Sequence, residues 1–341
     1  MSSALKKYLK SQVKPLLWSD WEWQVRNTLS FEEVAGLAPL EFSAACAEVN
    51  QRFPVRLTPY YLDLLIKEGW SGPLSEMALP SEAELESGGF SADPFEEQGR
   101  AACGYGVKQR FEDRVLIMCS GLCAMNCRHC TRKGLLGKAE LLGGDADLQR
   151  AVEFVRSRPL IREVLLSGGD PLMLADERIT AMVWAFAELP QIDAVRIGTR
   201  VPVTLPYRIT RTLVAGLAAT GKVWVNTQFN HASEITIDAV LACKRLVEAG
   251  IPTSNQSVLL RGVNDSCNAM FELCSTLQRV RVRPYYVFLC DPVAGIEHFR
   301  VARERAIEIE SELGERLGGL ALPRFVEDLP GAKRKQMILI K

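Results

Sequence analysis

Residues 115–133 read Val-Leu-Ile-Met-Cys-Ser-Gly-Leu-Cys-Ala-Met-Asn-Cys-Arg-His-Cys-Thr-Arg-Lys, an apolar run followed at once by a cysteine-rich loop. Within the loop, Cys123, Cys127 and Cys130 form a C-x3-C-x2-C triplet. A strand followed by a tight loop can aim three thiolates at one point, and three thiolates leave one iron of a four-iron, four-sulfur cluster without a protein ligand. The stretch therefore predicts such a cluster with an open iron. A structural zinc site is the alternative, but it usually has four ligands.

The composition is that of an ordinary globular protein, with 48% apolar and 24% charged residues. Lys plus Arg and Asp plus Glu both number 41, so no net charge attracts nucleic acid or an anionic membrane. The basic run at residues 6–14 lacks the apolar core of a signal peptide, and no apolar run has the length of a transmembrane helix. We therefore expect a cytoplasmic protein that binds neither nucleic acid nor membranes.

From Arg114 onward, a strand, a loop and a helix alternate six times. The predicted strands are 114–119, 162–167, 193–199, 222–229, 252–259 and 283–289. They are rich in Val, Ile and Leu and alternate poorly, as expected of parallel strands covered on both faces. Six βα units in series predict an α/β fold whose parallel sheet curls into a partial barrel, with its chemistry at the carboxyl ends of the strands.

Three regions are predicted on this basis: a helical accessory segment (1–110), the partial barrel (111–320) and a short C-terminal tail (321–341). In the accessory segment, a tryptophan-rich run near residues 18–25 predicts a helix, and Ser30-Phe-Glu-Glu33 predicts the capping box of the next. Pro59 marks the first turn of a third helix. The stretch from Pro73 to Pro94 predicts a surface loop because it is rich in Ser, Gly, Pro and acidic residues.

A glycine-rich turn, Leu166-Ser-Gly-Gly-Asp-Pro-Leu172, follows the second predicted strand. Paired glycines expose backbone groups to the close approach of a ligand, so Gly168, Gly169 and Asp170 are candidates to hold an amine. A plain tight turn is the alternative. The position of this turn, one βα unit after the cysteine triplet, favours the binding role.

The triplet followed by a glycine pair resembles the pattern of radical S-adenosylmethionine enzymes. Six segments resemble lysine 2,3-aminomutase more closely: Cys127-Arg-His-Cys-Thr-Arg132, Arg196-Ile-Gly-Thr-Arg-Val-Pro202, Phe229-Asn-His231, Asn255-Gln-Ser-Val-Leu-Leu260, Gly262-Val-Asn-Asp265 and Pro284-Tyr-Tyr286. The similarity runs from Trp18 to about Lys335, nearly the whole chain.

This resemblance implies a partial (β/α)6 radical S-adenosylmethionine barrel with a [4Fe-4S] cluster on Cys123, Cys127 and Cys130. It also implies S-adenosylmethionine bound to the open iron, and pyridoxal 5′-phosphate. The implied activity is an isomerase that converts L-lysine to β-lysine after a 5′-deoxyadenosyl radical takes hydrogen from the β-carbon. Reduced flavodoxin or ferredoxin is the implied electron donor, and a homo-oligomer is the implied assembly.

The lysine that would bind pyridoxal phosphate lies in the C-terminal stretch Phe325-Val-Glu-Asp-Leu-Pro-Gly-Ala-Lys-Arg-Lys335. Counting from Asp328 at the spacing of the family, the resemblance assigns this catalytic role to Lys335. Lys333 is a rival, because most glycines of the family motif are replaced here. A solvated basic tail is the remaining alternative.

Substrate specificity is inferred from charge. Arg132 matches the carboxylate-binding position of the family, where a guanidinium forms a bidentate pair. Asp291 and Asp328 match two acids that hold the ε-ammonium of lysine, although either could by itself be a turn residue. Two carboxylates around one cation select lysine, because a neutral or anionic side chain leaves both unpaired.

The remaining cofactor contacts are also assigned by resemblance. Arg110 and Arg114 match positions near the phosphate of pyridoxal phosphate, and Gln256 at the end of the fifth strand could add a neutral donor. His129 is expected near the adenine of S-adenosylmethionine, and His231 is expected to approach a cofactor. Surface ion pairing is the alternative for Arg110.

Three alternatives remain open at this point. Lysine 2,3-aminomutases continue past the pyridoxal lysine into a segment with cysteines for a structural zinc, and this sequence ends six residues after Lys335. We therefore expect that zinc site to be absent or altered. The first alternative is an enzyme of the branch that isomerises lysine for modification of elongation factor P, which the short length resembles. A related radical enzyme could instead act on another amino acid without pyridoxal phosphate. A non-enzymatic iron–sulfur or zinc module is the third alternative.

Overall fold

The computed structural model describes residues 1–86, 88–99, 103–135 and 141–338. Within these residues, nine strands form one sheet whose spatial order follows the chain order. The strands are β1 (Val107–Phe111), β2 (Arg114–Ser120), β3 (Glu163–Gly168), β4 (Ala194–Thr199), β5 (Val223–Thr227), β6 (Thr253–Leu259), β7 (Arg283–Leu289), β8 (Arg324–Glu327) and β9 (Gln336–Met337). Strands β2 to β8 are parallel, and β1 and β9 add antiparallel edges.

Helices cover the sheet and form the N-terminal segment. They are α1 (Ser3–Ser11), α2 (Trp21–Arg26), α3 (Phe31–Ala35), α4 (Ala44–Arg52), α5 (Pro59–Glu68), α6 (Pro73–Ala78), α7 (Asp145–Arg156), α8 (Asp176–Ala187), α9 (Val201–Thr204), α10 (Arg211–Ala218), α11 (Ile237–Glu248), α12 (Cys267–Arg279) and α13 (Arg303–Arg316). From α7 onward, each crossover between neighbouring parallel strands contains at least one helix. In the part of the chain that the structure describes, no helix is both long and apolar enough to span a membrane.

The predicted α/β fold is confirmed, and all six predicted strands lie within two residues of observed ones. Three short strands were missed, namely β1, β8 and β9. The predicted limit at residue 110 falls inside β1, and the region predicted as a tail contains β8 and β9. Strand β8 makes the parallel set seven strands rather than six. Strands of two to five residues carry too few side chains for their alternation to be recognised.

In the N-terminal segment, the predicted capping box is present at the start of α3, where Ser30 and Glu33 bond each other's backbone groups. The predicted first-turn Pro59 lies at the start of α5. The loop predicted from Pro73 to Pro94 is wrong in part, because α6 begins at Pro73. Proline is favourable in the first turn of a helix, and the short helix buries Leu74 and Met77.

Apolar side chains form two buried clusters. One combines side chains from the N-terminal helices, such as Leu65, with side chains from the later strands and helices, such as Leu273 and Phe325. The other fills the space between β2–β5 and helices α7, α8 and α10. The N-terminal segment therefore shares its core with the barrel and depends on it for burial.

The N-terminal segment also holds the cysteine loop by direct hydrogen bonds. Arg56 Nε donates to the carbonyl oxygen of Cys123 at 2.8 Å, and the Asn126 amide donates to the carbonyl oxygen of Arg56 at 3.1 Å. Arg128 Nη1 donates to the carbonyl oxygen of Phe53 at 2.9 Å. The segment predicted as an accessory therefore fixes the position of the loop that carries the three cysteines.

Arg128 is fully buried and forms an ion pair with the buried Glu84. Its Nε lies 2.9 Å from Glu84 Oε1, and its Nη2 lies 2.5 Å from Oε2. Lys133 Nζ also contacts Glu84. Removing one partner of such a pair leaves an uncompensated charge in a medium that solvates it poorly. The loop is therefore stable only with both partners present.

We expect Glu84→Gln to lower the free energy of unfolding by about 3–5 kcal/mol, because Arg128 stays buried without a carboxylate. The measurement is urea unfolding followed by circular dichroism. Glu48→Gln is the matched control, since Glu48 and Arg52 form an ion pair on the surface of α4 and exposed pairs contribute little. Equal losses in both variants would contradict the role given to the buried pair.

Candidate active site

A cavity of about 480 Å³ opens inside the partial barrel and extends to the carboxyl ends of its strands. Every predicted site residue except His231 lines it. These residues are Arg110, Arg114, Cys123, Cys127, His129, Cys130, Arg132, Gly168, Gly169, Asp170, Gln256, Asp291, Asp328 and Lys335. Groups from distant parts of the sequence thus meet in a single cavity, as expected for parallel strands.

The three loop cysteines form part of one wall of this cavity. Burial, the Asp170 carboxylate and the other two cysteines raise the pKa of the Cys123 thiol well above its ordinary value. As thiolates they repel one another, and a cationic iron cluster relieves that repulsion. Among the described residues, no three metal-ligating side chains surround a point suited to a single ion. Three cysteines on one wall are the ligand set of a cluster in which each cysteine would bind its own iron.

The glycine turn after β3 packs against the cysteine loop. The Gly169 amide donates to the carbonyl oxygen of Ser120 at 2.5 Å, and the Asp170 amide donates to that of Leu122 at 2.7 Å. A Cβ atom on Gly169 would lie 2.5 Å from the Leu122 oxygen, and Gly168 has a positive φ of 122°. Glycines are therefore required because the turn packs closely against the backbone of the cysteine loop, and not only because it borders the cavity.

Asp170 makes contacts that differ from the amine contact predicted for it. Both carboxylate oxygens accept from Thr199 Oγ1, at 2.7 and 2.9 Å, and one also accepts from the Arg200 amide at 2.7 Å. The Leu172 amide donates to the other oxygen at 3.0 Å. The side chain thus ties the turn after β3 to the end of β4. Any amine bound here would have to rely on the backbone of the turn.

The two predicted histidines behave differently. His129 lines the cavity, and its Nε2 lies 3.0 Å from the amide nitrogen of Asn230. Burial, followed by the charge of Arg200, lowers the pKa of His129 well below its ordinary value, so the ring is neutral. Because Nε2 accepts from that amide, we assign the proton to Nδ1, which is buried without a partner among the described residues.

His231 does not approach the cavity, contrary to the prediction. Its Nδ1 accepts a hydrogen bond from the Ser233 amide at 3.2 Å and caps the short 3-10 turn that follows β5. The side chain is used as the cap of this turn, and it is not among the residues that line the cavity.

Asp291, Asp328 and Lys335 lie together at another part of the cavity wall. Asp328 accepts a hydrogen bond from Arg110 at 3.0 Å, and its second oxygen lies 3.6 Å from Lys335 Nζ. Burial and the neighbouring Asp328 raise the pKa of Asp291 to about 7. Lys333, the rival of Lys335, is exposed and does not line the cavity. The geometry therefore favours Lys335.

A cationic group lies beside this region. Arg114 and Arg196 line the cavity with Lys335, and burial followed by the charges of these arginines lowers the pKa of Lys335 against the opposing effect of Asp328. Arg196 Nε is buried without a partner among the described residues, as is Asn226 Oδ1 in the same cavity. Unpartnered buried polar atoms are uncommon in proteins, so the Arg196 N–H group fits an anion such as phosphate, although Nη2 of the same guanidinium already pairs with Glu163 at 2.5 Å. The Asn226 oxygen can only accept a hydrogen bond and fits a donor instead.

Arg196 begins one of the six segments that resemble the family, but no role was predicted for it. It lies in β4 between the buried apolar residues Val195 and Ile197, and it lines the cavity. A charged residue in the middle of an otherwise uncharged strand is visible in the sequence.

Arg132 forms an ion pair with Glu97, a contact that was not predicted from the sequence. Glu97 binds it through two hydrogen bonds of 2.8 Å, from Nε to Oε2 and from Nη2 to Oε1. Burial alone would raise the pKa of Glu97, but Arg132 holds it below its usual value. Within the described residues, Nη1 of Arg132 forms no hydrogen bond. One edge of the guanidinium therefore remains for a second carboxylate.

A match to a known protein family indicates the class of protein. The family described as the Radical SAM superfamily matches residues 117–274. This stretch contains the three cysteines and strands β3 to β6, and the match indicates the radical S-adenosylmethionine class for this part of the barrel. Enzymes of this class use a [4Fe-4S] cluster and S-adenosylmethionine, and the predicted cluster ligands Cys123, Cys127 and Cys130 line the cavity.

Similarity to curated proteins identifies the family. L-lysine 2,3-aminomutase of Acetoanaerobium sticklandii is 39% identical over 340 residues, covering 98% of this chain and 82% of the relative. L-lysine 2,3-aminomutase of Clostridium subterminale is 40% identical over 326 residues, covering 94% and 78%. Glutamate 2,3-aminomutase of Clostridioides difficile is 33% identical, covering 94% and 77%. The chain belongs to the lysine 2,3-aminomutase family, and it is an isomerase.

Proposed function

We propose that this enzyme converts L-lysine to β-lysine by moving the 2-amino group to carbon 3. The observation that carries the proposal is the pair of carboxylates, Asp291 and Asp328, on the wall of the cavity that also contains Lys335 and the three cysteines. The two most similar relatives described above are named for lysine. Because another relative is named for glutamate, the residues of the site have to account for the choice between lysine and glutamate.

The charge around Asp291 favours a substrate with a cationic end. Among the described residues, its carboxylate accepts no hydrogen bond, and Asp328 repels a charge on it. An ammonium group placed here would pair with a carboxylate that has no other partner. A glutamate side chain would add a third carboxylate to the same region and increase the repulsion.

The α-carboxylate of the substrate would bind the free edge of Arg132. Glu97 occupies the Nε and Nη2 edge and orients the guanidinium, which leaves Nη1 to donate toward the substrate. Because Glu97 neutralises Arg132, binding at this end depends on directed hydrogen bonds more than on net charge. The selectivity for lysine is then set mainly by the two aspartates.

Lys335 would hold pyridoxal phosphate, with Arg110, Arg114 and Arg196 around its phosphate and Gln256 as a neutral donor. When bound, this cofactor supplies a carrier for the migrating amino group and a means of delocalising an unpaired electron. Burial lowers the pKa of Lys335, which increases the fraction of neutral, nucleophilic amine near neutral pH. The cationic wall supplies the compensation that a phosphate dianion needs on leaving water.

Cys123, Cys127 and Cys130 would hold the cluster, and the backbone of Gly168 and Gly169 would face the amine of S-adenosylmethionine. Cluster and S-adenosylmethionine together supply a 5′-deoxyadenosyl radical that takes a hydrogen atom from carbon 3 of lysine. We further propose that a low-potential donor such as reduced flavodoxin or ferredoxin reduces the cluster in a cytoplasmic homo-oligomer. All ten cysteines are free thiols, which supports a reducing compartment.

We expect borohydride reduction of the pyridoxal-phosphate-loaded enzyme to fix the cofactor covalently on Lys335, because this amine alone of the two candidates faces the cavity. Lys335→Ala should lose the reducible chromophore and the labelled peptide. Lys333→Ala is the matched control and should keep both. Labelling that survives Lys335→Ala and disappears in Lys333→Ala would reassign the lysine. The absence of any labelling in the wild type would contradict a role for pyridoxal phosphate.

We expect kcat/KM for lysine to rise with pH through about 7 and then level off. Lysine binds the ionised form of Asp291, whose pKa in the free protein is about 7, so protonation below that pH weakens binding by up to about tenfold per pH unit. Asp291→Asn should flatten this step and lower kcat/KM about 10- to 100-fold, the value of a hydrogen bond to a charged group. The measurement is an anaerobic assay of β-lysine formation from pH 5.5 to 8.5.

The parallel assay with glutamate tests the substrate itself. An anionic side chain binds best when Asp291 is protonated, so any residual turnover of glutamate should fall as the pH rises through the same range. Turnover of glutamate with no formation of β-lysine at any pH would show that the proposed substrate is wrong.

A further inference from the structure

Arg200 directly follows β4 and extends toward the cysteine loop. Its Nη1 lies 2.8 Å from the Sγ atom of Cys127, its Nη2 lies 2.5 Å from Glu234 Oε1, and its Nε donates to the carbonyl oxygen of Gln228 at 3.0 Å. The side chain is 10% exposed. All three nitrogens of the guanidinium therefore have directed partners, and one of these partners is a cysteine predicted to bind the cluster.

The contacts around Arg200 fix its orientation. Glu234 is fully buried and also accepts hydrogen bonds from Tyr61 Oη at 3.0 Å and from the Asn230 amide at 2.7 Å. The main chain of Arg200 donates to Asp170 at 2.7 Å. With its backbone and two of its nitrogens held, the guanidinium has little freedom to turn away from Cys127.

The other two cysteines lack this kind of contact. Among the described residues, Arg200 is the only cationic side chain that donates a hydrogen bond to one of the three thiols. Arg56, the cation that bonds Cys123, reaches its carbonyl oxygen and not its sulfur. Cys127 is therefore distinguished from Cys123 and Cys130 by a charge-assisted donor on its sulfur.

A donor on a ligating sulfur has a definite effect on an iron–sulfur cluster. Reduction adds one electron to the cluster and makes its sulfurs more negative, so a cation hydrogen-bonded to one of them stabilises the reduced form more than the oxidised form. Hydrogen bonds to the sulfurs and local charge are among the features that set the potentials of such clusters. Arg200 should consequently make the cluster easier to reduce.

We propose that Arg200 is a positioning residue for the cluster, whose hydrogen bond to Cys127 raises the reduction potential and so assists the one-electron reduction that precedes cleavage of S-adenosylmethionine. The electron comes from a low-potential one-electron donor, and no proton or leaving group is exchanged at Arg200. The inference requires only the cluster. It would survive the loss of lysine or of pyridoxal phosphate from the proposed function.

The test is a potentiometric titration of the anaerobically reconstituted enzyme without S-adenosylmethionine, with the reduced cluster followed by electron paramagnetic resonance. Arg200→Gln should shift the midpoint to more negative potential by at least a tenfold change in the equilibrium, about 59 mV for one electron. Arg200→Lys keeps the charge but loses the fixed geometry, so its shift should be smaller. Each sample is used with about four irons per chain, which separates tuning from assembly.

Arg208→Gln is the matched control. Arg208 is also fully buried and follows β4, but it donates to the carbonyl oxygens of Leu172 and Leu174 and contacts none of the three cysteines. Its midpoint potential should equal that of the wild type. Where Arg200→Gln does not retain the cluster, the titration of Arg200→Lys decides the question. A wild-type potential in the iron-replete Arg200 variants would overturn the proposal and leave Arg200 a purely structural residue.

Discussion

The contact between the cysteine loop and the turn after β3 is the constraint on which the site depends. The amides of Gly169 and Asp170 donate to the carbonyl oxygens of Ser120 and Leu122, and the Asp170 carboxylate binds the end of β4 through Thr199. Three neighbouring strand ends are thereby joined by buried hydrogen bonds. Because side chains larger than hydrogen would collide with this packing, the glycines are a condition of the geometry.

The charged groups of the cavity are divided into three regions, and each region suits a different ligand group. Three cysteines that would repel one another as thiolates lie on one wall, with Arg200 against one of them. Arginines and Lys335 form a cationic surface, and burial together with Asp328 raises the pKa of Asp291 against the opposing charges of Lys335, Arg110 and Arg132. Ligands that bring an iron cluster, a phosphate and an ammonium group satisfy all three regions together. The N-terminal segment holds the cysteine loop in register with them through the Glu84–Arg128 pair.

The sequence was sufficient for features that are local. Apolar runs predicted the six long strands, and the cysteine triplet is read directly from the sequence. The spacing of the family, counted from Asp328, pointed to Lys335 but left Lys333 open as a rival. The sequence was insufficient where a role depends on distant neighbours. The partner of Arg132 is Glu97, 35 residues earlier in a stretch without regular pattern, and Arg200 meets Cys127 across 73 residues. A charged residue can be read from the sequence, but the residue that it contacts in the folded protein cannot. For the same reason, the hydrogen bonds of Asp170 with Thr199 were not predicted, although Asp170 lines the cavity.

The central claim is that the radical generated at the cysteine loop reaches carbon 3 of lysine in this cavity. The most direct measurement is an anaerobic incubation with lysine deuterated at carbon 3, S-adenosylmethionine, pyridoxal phosphate and a reductant, followed by mass spectrometry of the 5′-deoxyadenosine formed. Our account predicts that deuterium enters the 5′-deoxyadenosine with labelled lysine and not with glutamate labelled at the same carbon. Unlabelled 5′-deoxyadenosine accompanying the turnover of labelled lysine, or transfer from glutamate alone, would contradict it.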